Sequence, residues 1–131
     1  MSTDLHPFDR AVALTATGVP NQYRGQASPD YWNMVGPYGG ITAASLVQAM
    51  QQHPQCLGDP ISITVNYAAA VGPGAFEVEA NPVRTNRSTQ HWLVSLVQTD
   101  AAGIESVVMT ATALTAARRD TWSMSDSAMP A

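Results

Sequence analysis

Residues 31–58 contain no aspartate, glutamate, lysine or arginine, and the clearest helical pattern of the chain lies inside this stretch. From Gly40 to about His53, apolar residues occupy positions all round a helical wheel, and the polar residues between them are uncharged. A helix that is apolar on every side is buried, and this one is too short to span a membrane. The rest of the chain must therefore supply a surface that encloses the helix.

Four segments after the helix read as long strands. They are residues 61–67, 75–83, 88–99 and 104–115, with "VGPG" and "DAAG" turns between the first two and the last two. The first two segments alternate with period 2. Pro82 indicates an edge, a bulge or a bend. The last two segments have apolar residues on both faces, for example Leu93 and Val97 opposite Trp92. We therefore expect another copy or another domain to cover the outer face of the sheet.

The two ends of the chain complete the predicted order of elements. The segment "FDRAVALTATG", residues 8–18, predicts a first strand, and a loop follows through Asp30. We expect one domain over residues 1–116 and a polar tail or linker over 117–131. One face of a sheet is the only surface large enough to bury the helix, so the predicted class is α+β, with a curved antiparallel sheet wrapped around one long central helix.

Composition excludes several classes of function. The formal net charge is -4 and all six basic residues are arginines, so no basic stripe is available for nucleic acid. The single Cys56 excludes an internal disulfide and a CxxC metal site, and the three histidines lie far apart in sequence, so no metal is predicted. The chain shows neither a signal peptide nor an apolar run near 18 residues, which predicts no membrane span and a cytoplasmic location.

Four segments carry a family resemblance: "FDRAVALTATG", "YWNMVGPYGGITAASLVQAM", "ISITVNYAAAVGPGAFEVE" and "VRTNRSTQHWLVSLVQ". From about Phe8 to about Leu114, the chain resembles the N-terminal hotdog module of acyl-CoA thioesterases of the double-hotdog type. The most specific pieces are Tyr31 and Trp32 ahead of the Gly-Gly helix start, and "RTNRSTQHW". The resemblance implies a hotdog fold that works in pairs, as a homo-oligomer or with a second hotdog domain, and a tail that begins the linker between them.

The resemblance also implies an activity, the hydrolysis of a fatty acyl-CoA thioester without a cofactor. This reaction needs an activated water and donors aimed at the carbonyl oxygen. The first turn of a helix leaves backbone N–H groups free in a field that favours negative charge. Tyr38, Gly39 and Gly40 are therefore candidates to hold the carbonyl, and the alternative is that the two glycines permit a tight loop. Related single-domain thioesterases often have histidine where Tyr38 stands.

The general base is harder to place. The resemblance implies an aspartate on the central helix with threonine and glutamine from strands, generally in one of two halves, but residues 40–53 contain no acid and the aligned position falls near Leu46. The last strand has Thr110 and Ala111 where the glutamine is expected. Gln90 and His91, on a strand near the presumed helix, are candidates to orient a water. Both are alternatively hydrogen-bonded structural residues.

Six further residues are candidates for binding the substrate. Asn33 and Asn66 are polar candidates, Tyr31 and Trp32 are candidates to line an acyl or pantetheine channel, and Arg84 and Arg87 offer guanidinium groups that match the phosphates of coenzyme A. The alternatives are hydrogen-bonded structural asparagines, aromatic residues packed on the core, and ordinary surface or interface arginines.

Two hypotheses of function follow. The first is a thioester hydrolase whose base comes from His91, from a water held by Gln90, or from a second half. The second is a non-catalytic hotdog that completes the acyl tunnel and the dimer interface. The missing helix acid favours the second hypothesis for this chain alone, and the resemblance favours the first for a paired protein.

Overall fold

One antiparallel sheet and one long helix dominate the computed structural model, which describes residues 4–131. In chain order the elements are a short helix α1 (Pro7–Ala11), β1 (Thr15–Ala16), β2 (Gln22–Gln26), a 3-10 turn (Pro29–Tyr31), α2 (Gly39–Gln51), β3 (Asp59–Tyr67), β4 (Ala75–Thr85), β5 (Thr89–Thr99) and β6 (Glu105–Ala116). The strand order is β1-β2-β4-β5-β6-β3, so β3 is an edge strand although it directly follows the helix. The predicted α+β class and the four long strands are confirmed.

The hydrophobic core lies between α2 and the inner face of the sheet. Strict alternation places every second residue of β4 and β5 against the helix, as the sequence pattern predicts. The fully buried members include Phe76, Val78, Trp92, Leu96 and Leu46. Each such side chain contributes about 1.5–3 kcal/mol through burial, so this layer fixes how α2 lies on the sheet.

The helix itself is covered on one side. Its buried face consists of Ile41, Thr42, Ser45, Leu46, Ala49 and Met50. The opposite face is half-buried at Ala43, Ala44 and Val47 and exposed at Gly40 and Gln51. The prediction of a helix enclosed on all sides is therefore wrong for this chain alone, because all strands belong to one sheet and a single sheet covers one side. Among residues 4–131, no helix has the length and hydropathy needed to cross a membrane.

The N-terminal prediction is wrong in its first part, because residues 7–11 form a helix. Pro7 occupies the first turn, where its missing N–H is not needed, and the His6 ring nitrogen Nδ1 accepts a hydrogen bond from the Phe8 amide at 3.1 Å. Ala11 and Val12 then pack against α2. The predicted strand over residues 8–18 shrinks to the two residues of β1.

Strand β2 occupies part of the predicted loop. It pairs with β4 and turns Tyr23 and Gly25 toward the core. A Cβ atom at Gly25 would lie 2.7 Å from Leu14 and from Phe76, so glycine allows the close packing there. The stretch is otherwise polar and flanked by turn residues, which is why its sequence predicts a loop.

The outer face of the sheet remains uncovered within the chain. Leu93 is 51% exposed and Val107 is 50% exposed. The cover that the sequence pattern requires is therefore not part of residues 4–131. Of the edge, bulge or bend predicted at Pro82, the structure has a bulge-like register shift between Pro82 and Arg84. No helix or strand follows Ala116.

A buried histidine joins the end of α2 to the sheet. The His53 Nδ1 atom accepts from the Gln55 amide at 3.1 Å, which leaves Nε2 to donate to the Asn21 side-chain oxygen at 2.6 Å. The ring lies edge-on to Trp92 at 5.2 Å and to Tyr23 at 6.5 Å. These contacts hold the neutral ring, and burial lowers the pKa of His53 from its ordinary value of 6.5.

The lowered pKa of His53 predicts a loss of stability in mild acid. Above pH ~6.5 the contribution of the neutral His53 ring to the free energy of unfolding is fully present. As the pH falls from there through the lower folded-state pKa, the unfolded chain binds a proton that the folded chain does not bind, and this contribution is lost. The free energy of unfolding by urea should therefore drop over this window in the native chain, and more steeply than in His53→Gln. Parallel curves for the two proteins would contradict the assignment.

Candidate functional site

A tight loop, residues 32–37, leads into the central helix. The Asn33 amide donates to the Gly36 carbonyl at 2.7 Å, and the Asn33 side-chain oxygen accepts from the Met34 amide at 2.7 Å. At the tip, Met34 is 93% exposed and Val35 is 88% exposed. These two hydrogen bonds fix the backbone of the loop, and with it the direction in which the chain enters the helix.

The helix begins with two free amides. Tyr38 is the N-cap residue but makes no capping hydrogen bond through its side chain. Within residues 4–131, the amides of Gly39 and Gly40 have no protein acceptor, whereas the next amide, that of Ile41, donates to the Tyr38 carbonyl at 3.1 Å. The helix dipole adds partial positive charge at this end. The start of α2 therefore offers two adjacent donors to a carbonyl oxygen or an anion.

Two tyrosine rings cover the two glycines. A Cβ atom at Gly39 would lie 3.2 Å from the Tyr67 hydroxyl, and one at Gly40 would lie 2.5 Å from the ring of Tyr38. The Tyr67 hydroxyl also donates to the Gly39 carbonyl at 2.7 Å. The glycines are thus needed for close packing against the two tyrosine rings, a different role from the tight loop considered as their alternative.

A cavity of about 280 Å³ opens at this helix start. Its wall consists of loop residues, the first turn of α2, Tyr67 and residues 69–71. No charged side chain from the described residues 4–131 lines it. An apolar wall with a few hydrogen-bond donors suits an uncharged polar group such as a thioester carbonyl.

The structure brings some of the predicted residues together here. Asn33, Tyr38 and Gly39 line the cavity, and Gly40 follows on the helix. Tyr31 instead packs on the small cluster around Ile41, the core alternative considered for it. Trp32 is 41% exposed at the base of the loop and does not line the cavity.

Gln90 lies at the other end of the helix. Its amide oxygen accepts from the Leu57 amide at 2.7 Å, and its nitrogen donates to the Gln55 carbonyl at 2.9 Å and to the Thr85 hydroxyl at 2.8 Å. The side chain is fully buried. These hydrogen bonds tie the segment that follows α2 to β4 and β5, and the side chain does not reach the two free amides.

His91 and Asn66 face away from the helix. The β5 side chains that are buried are those of the even-numbered residues Gln90 to Leu96, so His91 points outward and is exposed. Asn66 pairs across the sheet with Thr110, and both side chains are exposed. The prediction that His91 lies beside the helix is therefore wrong, because successive residues of a strand face opposite sides of the sheet.

The two arginines lie far from the cavity. Arg84 pairs with His91 on the outer face and donates to the Asn86 side-chain oxygen at 2.9 Å. Arg87 belongs to the turn between β4 and β5, next to residues that pair with the end of β6. This end of the sheet adjoins the end of α2 rather than its start, so the geometry does not direct either guanidinium group toward the cavity.

Two residues of the site were missed from the sequence. Tyr67 is the last inward residue of the Ile63, Val65, Tyr67 alternation, and Thr42 lies in the first turn of α2, where its hydroxyl donates to the Gly39 carbonyl at 2.9 Å. The alternation placed Tyr67 on the inner face. Its contact with the helix start depends on how β3 crosses α2, which no local pattern encodes.

These features define a class of protein: a single helix lies on an antiparallel sheet, with a donor-lined cavity at the helix start. The sequence matches the acyl-CoA thioesterase N-terminal domain family over residues 28–116, and the chain belongs to that family. The predicted hotdog fold and the resemblance to double-hotdog thioesterases are confirmed. No curated protein matches the sequence.

Solved structures support the same fold. A hotdog protein of unknown function from Alicyclobacillus acidocaldarius is 47% identical with a TM-score of 0.85, over 97% of this chain and 46% of the other. A putative thioesterase II from Thermobifida fusca is 19% identical (TM-score 0.75), over 97% of this chain and 46% of the other. An acyl-CoA thioesterase II from Mycobacterium marinum is 20% identical (TM-score 0.71), over 96% of this chain and 44% of the other. The chain thus spans about half the length of each.

Proposed function

We propose that this domain acts on acyl-CoA thioesters and takes part in their hydrolysis to the free acid and coenzyme A. The observation that carries the proposal is the pair of unpaired amides at Gly39 and Gly40, of which Gly39 lines an uncharged cavity at the start of α2 and Gly40 follows it on the helix. Membership of the acyl-CoA thioesterase N-terminal domain family supports this choice of substrate class. Donors fixed before the reaction stabilise a developing oxyanion more than a flexible solvent does.

The proposed chemistry follows from this geometry. The thioester oxygen accepts from the two amides, a water oxygen attacks the carbonyl carbon, and the resulting oxyanion gains from the same donors and from the helix dipole. A base takes the proton of the water and returns it to the sulfur as the carbon–sulfur bond breaks. Among residues 4–131 no carboxylate lines the cavity, so we assign the base to a second hotdog domain.

The paired state is part of this proposal. β3 is an edge strand with a free side, and Leu93 and Val107 are half exposed on the outer face of the sheet. Both features are typical of surfaces that a partner covers. The partner is either a second copy or a second hotdog domain, and a cytoplasmic location remains our expectation.

A second candidate function has its own supporting observation. The helix bears no acid, and the cavity has no charged lining within the described chain. A hotdog that shapes the acyl tunnel, and pairs with a catalytic hotdog, needs neither. In this case the domain binds the thioester or its acyl chain without hydrolysing it.

Thiol release from acyl-CoA esters of increasing chain length tests the two candidates. We expect Gly40→Ala to lower thiol release at least about tenfold, because the new methyl group stands beside the free amides and displaces the Tyr38 ring. Alanine is favoured over glycine inside a helix, so the variant should fold. His91→Ala, on the outer face, should match the native protein.

Binding separates the outcomes. Absence of thiol release combined with acyl-CoA binding that is lost in Gly40→Ala would favour the non-catalytic half. A loss of activity in His91→Ala would contradict the site. If the native chain neither binds nor hydrolyses any ester of the panel, both candidates fail.

A further inference from the structure

We propose that Tyr67 is a positioning residue, which fixes and polarises the peptide group between Gly39 and Gly40. Its hydroxyl donates to the Gly39 carbonyl at 2.7 Å. That carbonyl shares one planar peptide unit with the free N–H of Gly40. The catalytic part of this inference rests on the proposed function, whereas the positioning part can be tested without any activity.

Two side chains from different elements hold the same carbonyl. Tyr67 reaches it from the edge strand β3, and Thr42, which is buried, reaches it from within the helix at 2.9 Å. Because the peptide unit is planar, a rotation that moved the Gly40 N–H would break both hydrogen bonds. The direction of the donor is therefore set by the sheet as well as by the helix.

The same contact strengthens the donor. Hydrogen bonds in a chain polarise one another, and donation to a carbonyl makes the N–H of the same peptide a better donor. The Gly40 amide has no protein acceptor among residues 4–131 and stands at the positive end of the helix dipole. A ligand oxygen placed there would complete a chain that runs from the Tyr67 hydroxyl through one peptide group.

Burial alone does not explain why Tyr67 makes this bond. The residue is 55% exposed, so water could satisfy its hydroxyl. Its ring nevertheless lies on Gly39, where a Cβ atom would come within 3.2 Å of the hydroxyl and 3.3 Å of the ring carbons. Glycine at position 39 thus makes room for a tyrosine from another element, and the tyrosine also forms part of the cavity wall.

The first test measures the amide directly. In a nitrogen-proton correlation spectrum of the labelled protein, Tyr67→Phe should shift the Gly40 resonance, because the ring stays in place and only the hydrogen bond to the carbonyl is lost. Thr64→Val, which removes a hydroxyl from the outer face of the same strand, should leave this resonance unmoved. Thr42→Val removes the other hydroxyl from the same carbonyl and should also shift it.

The second test measures hydrolysis. Tyr67→Phe should lower kcat about threefold to tenfold with KM changed less than about twofold, since a donor to the oxyanion is weakened and not removed. The midpoint of thermal unfolding should stay within about 2 °C of the native value, which excludes a general loss of structure.

The outcomes distinguish this inference from the proposed function. A Gly40 resonance that is the same in Tyr67→Phe and the native protein overturns the positioning role, even if kcat falls. A shifted resonance with unchanged kcat overturns its catalytic relevance. If the native protein releases no thiol, the proposed hydrolysis fails, and the Gly40 resonance still decides the positioning role.

Discussion

Replacing Gly58 with alanine is expected to lower the free energy of unfolding by about 3–4 kcal/mol. Gly58 has φ +70, a conformation that costs an L-residue about 1–2 kcal/mol. A Cβ atom there would also collide with the carbonyl oxygen and the carbonyl carbon of Ala116. These are backbone atoms in a residue that pairs with both Asp59 and Thr89, so the new methyl group must push two strand pairs apart.

The matched control for this variant is Gly18→Ala. Gly18 has φ +88, but nothing lies within 4 Å of its added Cβ atom. The control therefore carries the same conformational cost, about 1–2 kcal/mol, without the collision. Urea unfolding of the two variants separates the conformational cost from the cost of the collision. An equal loss of unfolding free energy in both variants would show that the structure relaxes around the contact with Ala116 at no cost.

The sequence patterns that extend over long segments predicted most of the fold. Alternation over 61–67 and 75–83, and apolar residues on both faces of 88–99 and 104–115, predicted four strands that the structure contains. The uncharged run predicted the helix within about two residues at either end. The predictions for the short elements were wrong. Pro7 starts a helix in a segment that alternates loosely, and β2 is too polar to stand out, because its strand character comes from pairing with β4.

Some residues of the candidate site were likewise predictable from the sequence, and others were not. The Gly-Gly pair was predictable, because free amides at a helix start follow from helix geometry alone. The positions of Gln90 and His91 were not predictable. These adjacent residues of one strand face opposite sides of the sheet, and because the strand is apolar on both faces, its sequence does not show which side faces the helix. Tyr67 was predictable as an inward residue, but its bond to the Gly39 carbonyl depends on the crossing of β3 and α2, which is a property of the assembled fold.

The second large effect is expected for Gln90→Met, a loss of about 3 kcal/mol in the free energy of unfolding. Methionine fills a similar volume but removes three hydrogen bonds of the fully buried Gln90 side chain, those with the Leu57 amide, the Gln55 carbonyl and the Thr85 hydroxyl. Each of these hydrogen bonds contributes about 1 kcal/mol. The loss is measured by urea unfolding at neutral pH.

Gln98→Met provides the comparison on the same strand. Gln98 accepts from the Gly72 amide at 2.7 Å and donates to its carbonyl at 3.0 Å, but the side chain is half-buried and water can replace it, so the expected loss is about 1 kcal/mol. Thiol release per folded molecule should survive in Gln90→Met, because Gln90 lies at the far end of α2 from the free amides. A stable Gln90→Met variant that has lost its activity would contradict this structural role and return Gln90 to the catalytic candidates.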